Sequence, residues 1–566
     1  MRQQFDRSPL DWPNVMLIPF SQLSELPACD VCVVGAGPVG IALAQGCARE
    51  GLSVLLLESG FEHPDRFAAT LGTGHRTTMT HAAPNVAASR GLGGTSRWWG
   101  GRCVPFDEID FAERPHASAA TWPIPHDEIS RWYSAAAEFF GVGPARFESS
   151  AAGWTDIGDV RFDQLERWTP EINMGQRQRF ELANSSAITV VLGATVTAIT
   201  LSDDGRYVAN LMVSAPGKTV LFRPHDVVLA CGGLETTRLL LTVQRRWPDA
   251  LGGRDGPLGR GYMGHISGKI SSLSLADPTT APHHDFFLDD GAFARRRFTI
   301  RPEAQQRHEL LNIAFWADNP PFHWAGHGNG ALSLVWLALA IPPIGRRLVS
   351  EAVRQSHVGP RPKAWMRHFA NMLGSPASTA REIGTILWAR TLSRPRKPGF
   401  LMRSSDGRYC LHYHAEHAPH DDSRVTLSQR TDALGLAFLD IDLRYTEADA
   451  RSALAAHELL DQSLRRAGLA QLEYFDTDIS ARIASISRQA SDGFHQIGTT
   501  RMGTSPQHSV VDPHCRAHDI ENLHVASTSV LPSSGQANPT FVAVALALRL
   551  AGRLAARGRY LRTEAA

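Results

Sequence analysis

Apolar residues run without a break at Val31–Val34 and again at 54–57, and the segment between them, 38–49, carries its apolar positions at helical spacing after a glycine-rich turn. Short continuous apolar runs mark strands buried on both faces, so "DVCVVGAGPVGIALAQGCAREGLSVLLLESG" at 30–60 predicts a strand–helix–strand unit of a parallel sheet. "DVVLACGGLETTRLLLTV" at 226–243 has the same strand–turn–helix character and is expected in the same sheet, although it lies far along the chain. Ahead of it, residues 187–222 read as β-strands with Asp204-Gly205 as a hairpin signal. The stretch 270–490 is more mixed. "YCLHYHAEHAPHDDSRVTLS" predicts strand, loop, strand, and 447–468 predicts an amphipathic helix closed by Gly468. No repeat or low-complexity linker divides the chain, so the domains are expected to exchange chain several times.

The last periodic segment, "GQANPTFVAVALALRLAG" at 535–552, is apolar on every side. Pro539 is expected at the first helical position with Asn538 as the capping residue before it. A buried helix start brings free N–H donors and roughly half a positive charge into the interior, which calls for an acceptor there.

Composition narrows the class. A chain of 566 residues exceeds one ordinary core, and 43% hydrophobic with 20% charged residues suits a globular enzyme. A formal net charge of +1 provides no general attraction to nucleic acid. The first twenty residues resemble neither a secretory signal nor a transit peptide, and "GALSLVWLALAIPPIG" at 330–345 is too short to span a membrane, so a cytoplasmic location is expected. Seven cysteines, at 29, 32, 47, 103, 231, 410 and 515, show no disulfide framework, and Cys29-x-x-Cys32 has no second pair to complete a metal site.

Three segments carry the chemistry. In "VVGAGPVG", Gly35, Gly37 and Gly40 form G-x-G-x-x-G between a strand and a helix, and Glu58 stands 18 residues beyond Gly40, where a carboxylate receives ribose hydroxyls. The pattern serves FAD and NAD alike. "RGLGGTSRWWGG" at 90–101 has a backbone able to lie flat against a large planar ligand, or is a surface loop with two packed tryptophans. "GFHQIGTTRMG" at 493–503 contains His495; alone it reads as a core histidine, and Asn538 alone as an N-cap.

Together these segments resemble the glucose–methanol–choline (GMC) family of FAD oxidoreductases. The likeness rests on "VVGAGPVG" with "LLLESG", "RGLGGTS", "VVLACGGLETTRLLL" followed by "LGRGYMGH", and "HQIGTTRMG…VVD…ENLHVAS…P…NPT". It covers the flavin-binding half of the chain in order, and the substrate half only loosely. The resemblance implies an α/β fold: a Rossmann-like FAD-binding domain, a parallel sheet with a β-hairpin insertion, interleaved with an α+β substrate domain on an antiparallel sheet. Residues 27–115, 190–268 and 493–562 are assigned to the first, 116–189 and 269–492 to the second, and 1–26 to an N-terminal extension. His495 and Asn538 take the catalytic pair. Gly35, Gly37, Val39, Gly40 and Glu58 take pyrophosphate and ribose positions, Gly93, Gly94, Thr95, Ser96, Trp99 and Gly100 the loop along the isoalloxazine, and Val196 the adenine strand. Ala230, Gly232, Ser527, Thr528, Pro539 and Thr540 complete the implied cofactor positions.

The expected activity is oxidation of an alcohol to an aldehyde or ketone by hydride transfer to flavin N5, with His495 as general base. A small-molecule alcohol, first a sugar, glycoside or cyclitol hydroxyl, is the expected substrate; the acceptor is unknown and a dehydrogenase is favoured over an oxidase. Hydrophobic alcohols and a hydroxynitrile-lyase-like non-redox flavoprotein are the alternatives. Trp98 stands where members with covalent flavin carry histidine, so non-covalent FAD is expected, and Ser527 replaces a common Asp. His412, His414, His417 and His420 cluster in sequence, but no acid or cysteine at ligand spacing completes a metal site, and none is expected. From Arg346 to Lys397 the chain holds eleven Lys or Arg against two acids. That segment reads either as solvated helices over the entrance or as a docking patch for a membrane surface or partner.

Overall fold

The computed structural model describes residues 17–564 apart from Thr73, Ser350 and 360–362. Its central sheet has six parallel strands in the order Leu17–Pro19, Ile188–Leu192, Val54–Glu58, Val31–Val34, Asp226–Leu229, Leu523–Val525. The Val31–Val34 and Val54–Glu58 strands are buried at every position, as the unbroken apolar runs require. Strand order reverses direction between Val31–Val34 and Asp226–Leu229, and at such a switch point the carboxyl ends of the strands leave a crevice for a ligand. A three-stranded antiparallel sheet, Thr195–Leu201, Val208–Ala215 and Lys218–Phe222, carries the expected hairpin, with Gly205 at φ +75° in its turn.

The second layer is an antiparallel sheet of eight strands. Ala470–Tyr474, His265–Leu275, Arg408–Glu416, Ile313–Asp318, Ala292–Ile300, Val160–Trp168 and Arg102–Cys103 lie side by side in that order, and Phe287–Asp289 pairs beside Ala292–Ile300. The Glu447–Arg466 helix packs on this sheet; Thr446 and Asp449 form its capping box, and Gly468, just past its end, has φ +68°. Two stretches lie elsewhere than the sequence boundaries put them. Leu17–Pro19, inside the segment set apart as an extension, is an edge strand of the parallel sheet, and His265–Leu275 runs across the 268/269 boundary as one strand of the antiparallel sheet. Both are short-range apolar patterns whose partner strand decides their layer. Residues 1–16 of that extension lie outside the described residues.

The Thr540–Glu564 helix lies against the Pro38–Arg49 helix. A Cβ at Gly46 would come within 2.9 Å of Ala551 Cβ, so glycine at mid-helix, which costs about 1 kcal/mol in an exposed helix, admits a close helix pair here. Ala543, Ala547 and Ala551, all buried, keep the facing stripe small. This packing brings the start of the last helix to the glycine turn at 35–40.

An excursion of 319–407 joins two neighbouring strands, Ile313–Asp318 and Arg408–Glu416, that a short turn would connect. It forms helices Gly330–Ala340, Pro342–Leu348, Glu351–Val358, Trp365–Gly374 and Pro376–Leu387. Leu332, Trp336 and Leu337 of the first pack with Phe322 and Val358 as a separate small core. Among the described residues no single helix is long and apolar enough to cross a membrane; the Gly330–Ala340 and Pro342–Leu348 pair is bent by 106°.

Burial also sets a pH limit. His284, wedged between Trp154 and Phe162, is pushed down to about 3 by burial, and His457 and His265 down to about 4, also chiefly by burial. Each is neutral when folded and regains its ordinary value near 6.5 on unfolding, so between those values the unfolded chain binds more protons. Stability therefore falls as pH drops from about 6.5 towards 4, by up to roughly 1.4 kcal/mol per histidine per pH unit. Thermal unfolding followed by circular dichroism is expected to show Tm declining steadily from pH 6.5 to 4.5; a flat Tm across that window contradicts these neutral burials.

Candidate active site

The glycine turn after Val31–Val34 is closed on three sides. A Cβ at Gly35, whose φ is +107°, would lie 2.6 Å from the Ala230 carbonyl oxygen, and one at Gly40 would lie 1.9 Å from the Gly35 oxygen. Gly37, the residue before the Pro38–Arg49 helix, faces open space, and no side chain caps the helix's first N–H groups. Gly93 N–H donates to the Ala36 oxygen (2.8 Å), and a Cβ at Gly94 would sit 3.0 Å from Gly37 Cα, so the two glycine loops touch as one cradle. Glu58 ties them together: Oε1 accepts N–H from Gly60 and Gly91 (both 2.8 Å), and Oε2 accepts from Ala36 (2.9 Å). One lone pair of Oε2 stays available for a ribose hydroxyl. Uncapped amides at an open helix start, beside a carboxylate and a side-chain-free floor, fit the pyrophosphate and ribose of a dinucleotide.

Above that cradle the chain from Gly535 to Ala537 is buried and delivers Asn538 to His495. Asn538 Oδ1 accepts from Arg102 Nε (2.5 Å), which orients the amide so that its Nδ2–H points at His495 Nε2, 2.9 Å away. On the other side of the ring His495 Nδ1–H donates to Asp492 Oδ2 (2.8 Å). Both neighbours thus impose one tautomer, with the proton on Nδ1 and a lone pair on Nε2. Asp492 is fully engaged: Oδ1 also accepts N–H from Phe494 (2.8 Å) and His495 (3.2 Å), and Oδ2 accepts from His265 N–H (2.8 Å). Burial pushes its carboxyl up, but His495 and His265 beside it hold it well below the usual carboxylate range.

Two further histidines border this pair. His265 Nε2–H donates to the Ser534 oxygen (3.1 Å), leaving Nδ1 as a lone pair 3.0 Å from His495 Nδ1. His414 stacks on His265 with ring centroids 4.2 Å apart and donates Nδ1–H to the Gln536 oxygen (2.7 Å). Ring nitrogens of His265, His414 and His495 lie within 4.8 Å of one another, yet hydrogen bonds account for each of these orientations. The four sequence-clustered histidines do not act together: His412 stacks on Trp316 and meets Asp318 (3.1 Å), and His417 Nδ1 accepts Gly264 N–H (3.2 Å). Next to Asn538, Arg102 lies over Trp316 and pairs with Glu166 (3.2 Å), which also holds Arg295 (2.6 Å). Arg297 is buried near the same carboxylate, with its own Nη1 donating to Gln536 Oε1, so three guanidiniums surround Glu166 and two of them pair with it. Burial lowers Arg102 to about 10, which leaves it charged at neutral pH.

The sequence-derived positions divide by what their side chains do. Gly35, Gly37, Gly40, Glu58, Gly93, Gly94 and Ala230 come together in the cradle, and Val39, on the first turn of its helix, is half-buried against the main core. Ser96 holds the loop from inside, donating to the Gly93 oxygen (2.5 Å) and accepting Met174 N–H (3.0 Å), and Thr95 accepts Ser89 N–H (3.1 Å). Trp99 is turned onto Phe140 and donates to the Ile172 oxygen (2.6 Å), whereas Gly100 faces open space. Gly232, at φ +81°, precedes the Gly233–Arg246 helix, whose Leu234 N–H goes to Gln496 Oε1 (2.9 Å); Thr528 donates to the Gln496 oxygen (2.7 Å). Ser527 accepts Ser529 N–H (3.3 Å), the role the shorter residue takes in place of the common Asp. Val196 is buried in the hairpin sheet, and Pro539 and Thr540 open the last helix, with Ala543 N–H bonded to the Pro539 oxygen.

One reading is corrected. Asn538 does not cap that helix with its side chain, because Arg102 and His495 hold the amide at the site instead. Asp492, His265 and Arg102 were missed by sequence reasoning, and His414 was noted only as one of four clustered histidines. Two of them had a local signal: Asp492 stands three residues before His495, and His265 ends "LGRGYMGH".

Residues 419–547 match the family model described as GMC oxidoreductase. Paromamine 6'-oxidase of Streptomyces fradiae is 24% identical over 580 residues, covering 93% of this chain and 91% of its own. C-glycoside 3-oxidase of Arthrobacter globiformis is 35% identical over 128 residues, 22% of each chain. Among solved structures, pyridoxine 4-oxidase from Mesorbium loti superposes with a TM-score of 0.50 at 18% identity, over 93% of this chain and 99% of that one. The chain carries a GMC oxidoreductase domain at 419–547 and is an FAD-dependent enzyme that oxidises an alcohol.

Proposed function

We propose that the substrate is a sugar, glycoside or cyclitol hydroxyl, with His495 as the base and Asn538 as the group that holds the reacting oxygen. The observation that carries this is the tautomer lock: Asp492 holds the Nδ1 proton of His495, so the lone pair lies on Nε2, where it accepts Asn538 Nδ2–H (2.9 Å) until a carbinol oxygen takes that N–H and gives its own proton to Nε2. FAD, held by the cradle of Gly35, Gly37, Glu58 and Gly94, supplies the hydride acceptor when bound. The protein's part is to place the carbinol. Asn538 Nδ2–H binds its oxygen, Arg102 fixes Asn538, and the proton moves to His495 Nε2, where Asp492 stabilises the resulting imidazolium.

The carbohydrate reading rests on the relatives, one named for paromamine and one for a C-glycoside. The arginine excess refines it. Three guanidiniums around Glu166, one of them touching Asn538, disfavour an amino-bearing ring next to the reacting carbon and favour a neutral or acidic glycoside. An anaerobic panel of neutral, amino-substituted and uronic glycosides, with simple alcohols as controls, tests both levels. Bleaching of the flavin band by neutral or acidic sugars is expected. Bleaching by none, with cyanohydrin cleavage instead, replaces the reading with a lyase.

Trp98, half exposed where a covalent link would need histidine, supports non-covalent FAD. Acid precipitation is expected to leave all yellow colour in the supernatant; colour in the pellet contradicts it. We favour a dehydrogenase over an oxidase. Reduced enzyme that stays bleached after mixing with air-saturated buffer supports this, and prompt reoxidation makes it an oxidase. Seven free cysteines, with burial raising Cys29, Cys47 and Cys231 to about 12, support a cytoplasmic location.

A further inference from the structure

The helical excursion 319–407 has an outer face that no solvated helix needs. In the Trp365–Gly374 helix, His368 turns inward and stacks on Trp336 at 3.9 Å. Met366, Phe369 and Leu373, at helical spacing on the opposite side, point out, with Met366 84% and Leu373 79% exposed. Leu348, Trp388 and Leu392 on the neighbouring segments are exposed as well, Trp388 by 63%. A solvent-facing helix ordinarily puts polar residues there.

The same segment is strongly basic. Eleven Lys or Arg stand against two acids between 346 and 397 in a chain whose net charge is +1, so the rest of the molecule is net acidic. Arg361 lies outside the described residues. The two acids are already engaged: Glu351 by Arg346 and Arg354, and Glu382 by Asn329. Arg347, Arg367, Arg381 and Arg396 are exposed among the apolar side chains. A second copy of this chain does not suit the patch, since a two-fold contact would press two strongly positive faces together.

From this surface we infer that the excursion docks the enzyme on an anionic lipid bilayer, with Met366, Phe369, Leu373 and Trp388 entering the interface and the arginines meeting headgroups. The docking also has a place in the enzyme. Asn319, the first residue of the excursion, follows Asp318, which binds His412; His412 stacks on Trp316, and Trp316 lies under Arg102, the partner of Asn538. The excursion is thus rooted next to the residues that hold Asn538.

The test uses the full FAD-loaded chain and vesicles of phosphatidylcholine, alone or mixed with phosphatidylglycerol. Co-sedimentation with the mixed vesicles is expected, at least tenfold weaker with neutral ones and weakened by salt. Each basic residue near such a surface strengthens binding about fivefold, so Arg347→Glu with Arg367→Glu should weaken it about 25-fold or more. Met366→Ser with Leu373→Ser and Trp388→Ser should also weaken it at least tenfold, with FAD content and Tm unchanged. Absence of co-sedimentation, equal binding to neutral vesicles, native binding by either variant, or a dimer that dissolves in the serine variant without lipid binding each overturns the inference.

Discussion

His495→Ala is expected to slow flavin reduction by saturating substrate about 10²- to 10⁴-fold while leaving FAD bound. The size follows from what the imidazole does. Its Nε2 is the lone pair set against Asn538 Nδ2, and without it the hydroxyl proton must go to water while the hydride leaves. The fold should tolerate the change, because Asp492 keeps three main-chain donors, from Phe494, residue 495 and His265, when the side chain is gone. FAD-to-protein ratio and Tm therefore serve as controls, and stopped-flow bleaching of the flavin as the measurement. Added imidazole should restore part of the rate. Reduction within a few fold of the native rate removes His495 from the chemistry.

What the sequence disclosed, and what it hid, follows from the range of each interaction. The glycine turn, Glu58 and the strands around them are local patterns, so 30–60 and 226–243 were readable as pieces of one parallel sheet before their order was known. His495 and Asn538 were readable by resemblance, but their orientation was not. Asn538 looked like a helix cap because a cap is a local role; the residue that turns it, Arg102, stands 436 positions away. His265 and His414 meet because His265–Leu275 and Arg408–Glu416 pair with Ser267 opposite His414, a register no periodicity reports. The basic character of 346–397 was visible in composition. The outward apolar face of Trp365–Gly374 was not, since only the stacking of His368 on Trp336 decides which side of that helix is outside.

Asp492→Asn is expected to cost about 10³-fold or more in flavin reduction although the new side chain is nearly the same shape. The backbone N–H groups of Phe494 and His495 both require an acceptor at Oδ1, so the asparagine oxygen is held there. Its NH₂ then stands where Oδ2 accepted from His495 Nδ1 (2.8 Å) and from His265 N–H (2.8 Å). Facing a donor, His495 must move its proton from Nδ1 to Nε2, and the base presents N–H instead of a lone pair to Asn538 Nδ2 and to substrate. One buried main-chain donor, His265 N–H, also loses its acceptor, at a cost of about 1–3 kcal/mol, so Tm should fall without loss of FAD. A merely structural role for Asp492 predicts the same fall in Tm but leaves the histidine tautomer alone. Nitrogen chemical shifts of labelled His495 separate the two: Nδ1–H in the native enzyme and Nε2–H in the variant are expected. If the variant keeps the Nδ1–H form and reduces its flavin within about fivefold of the native rate, Asp492 does not set the base.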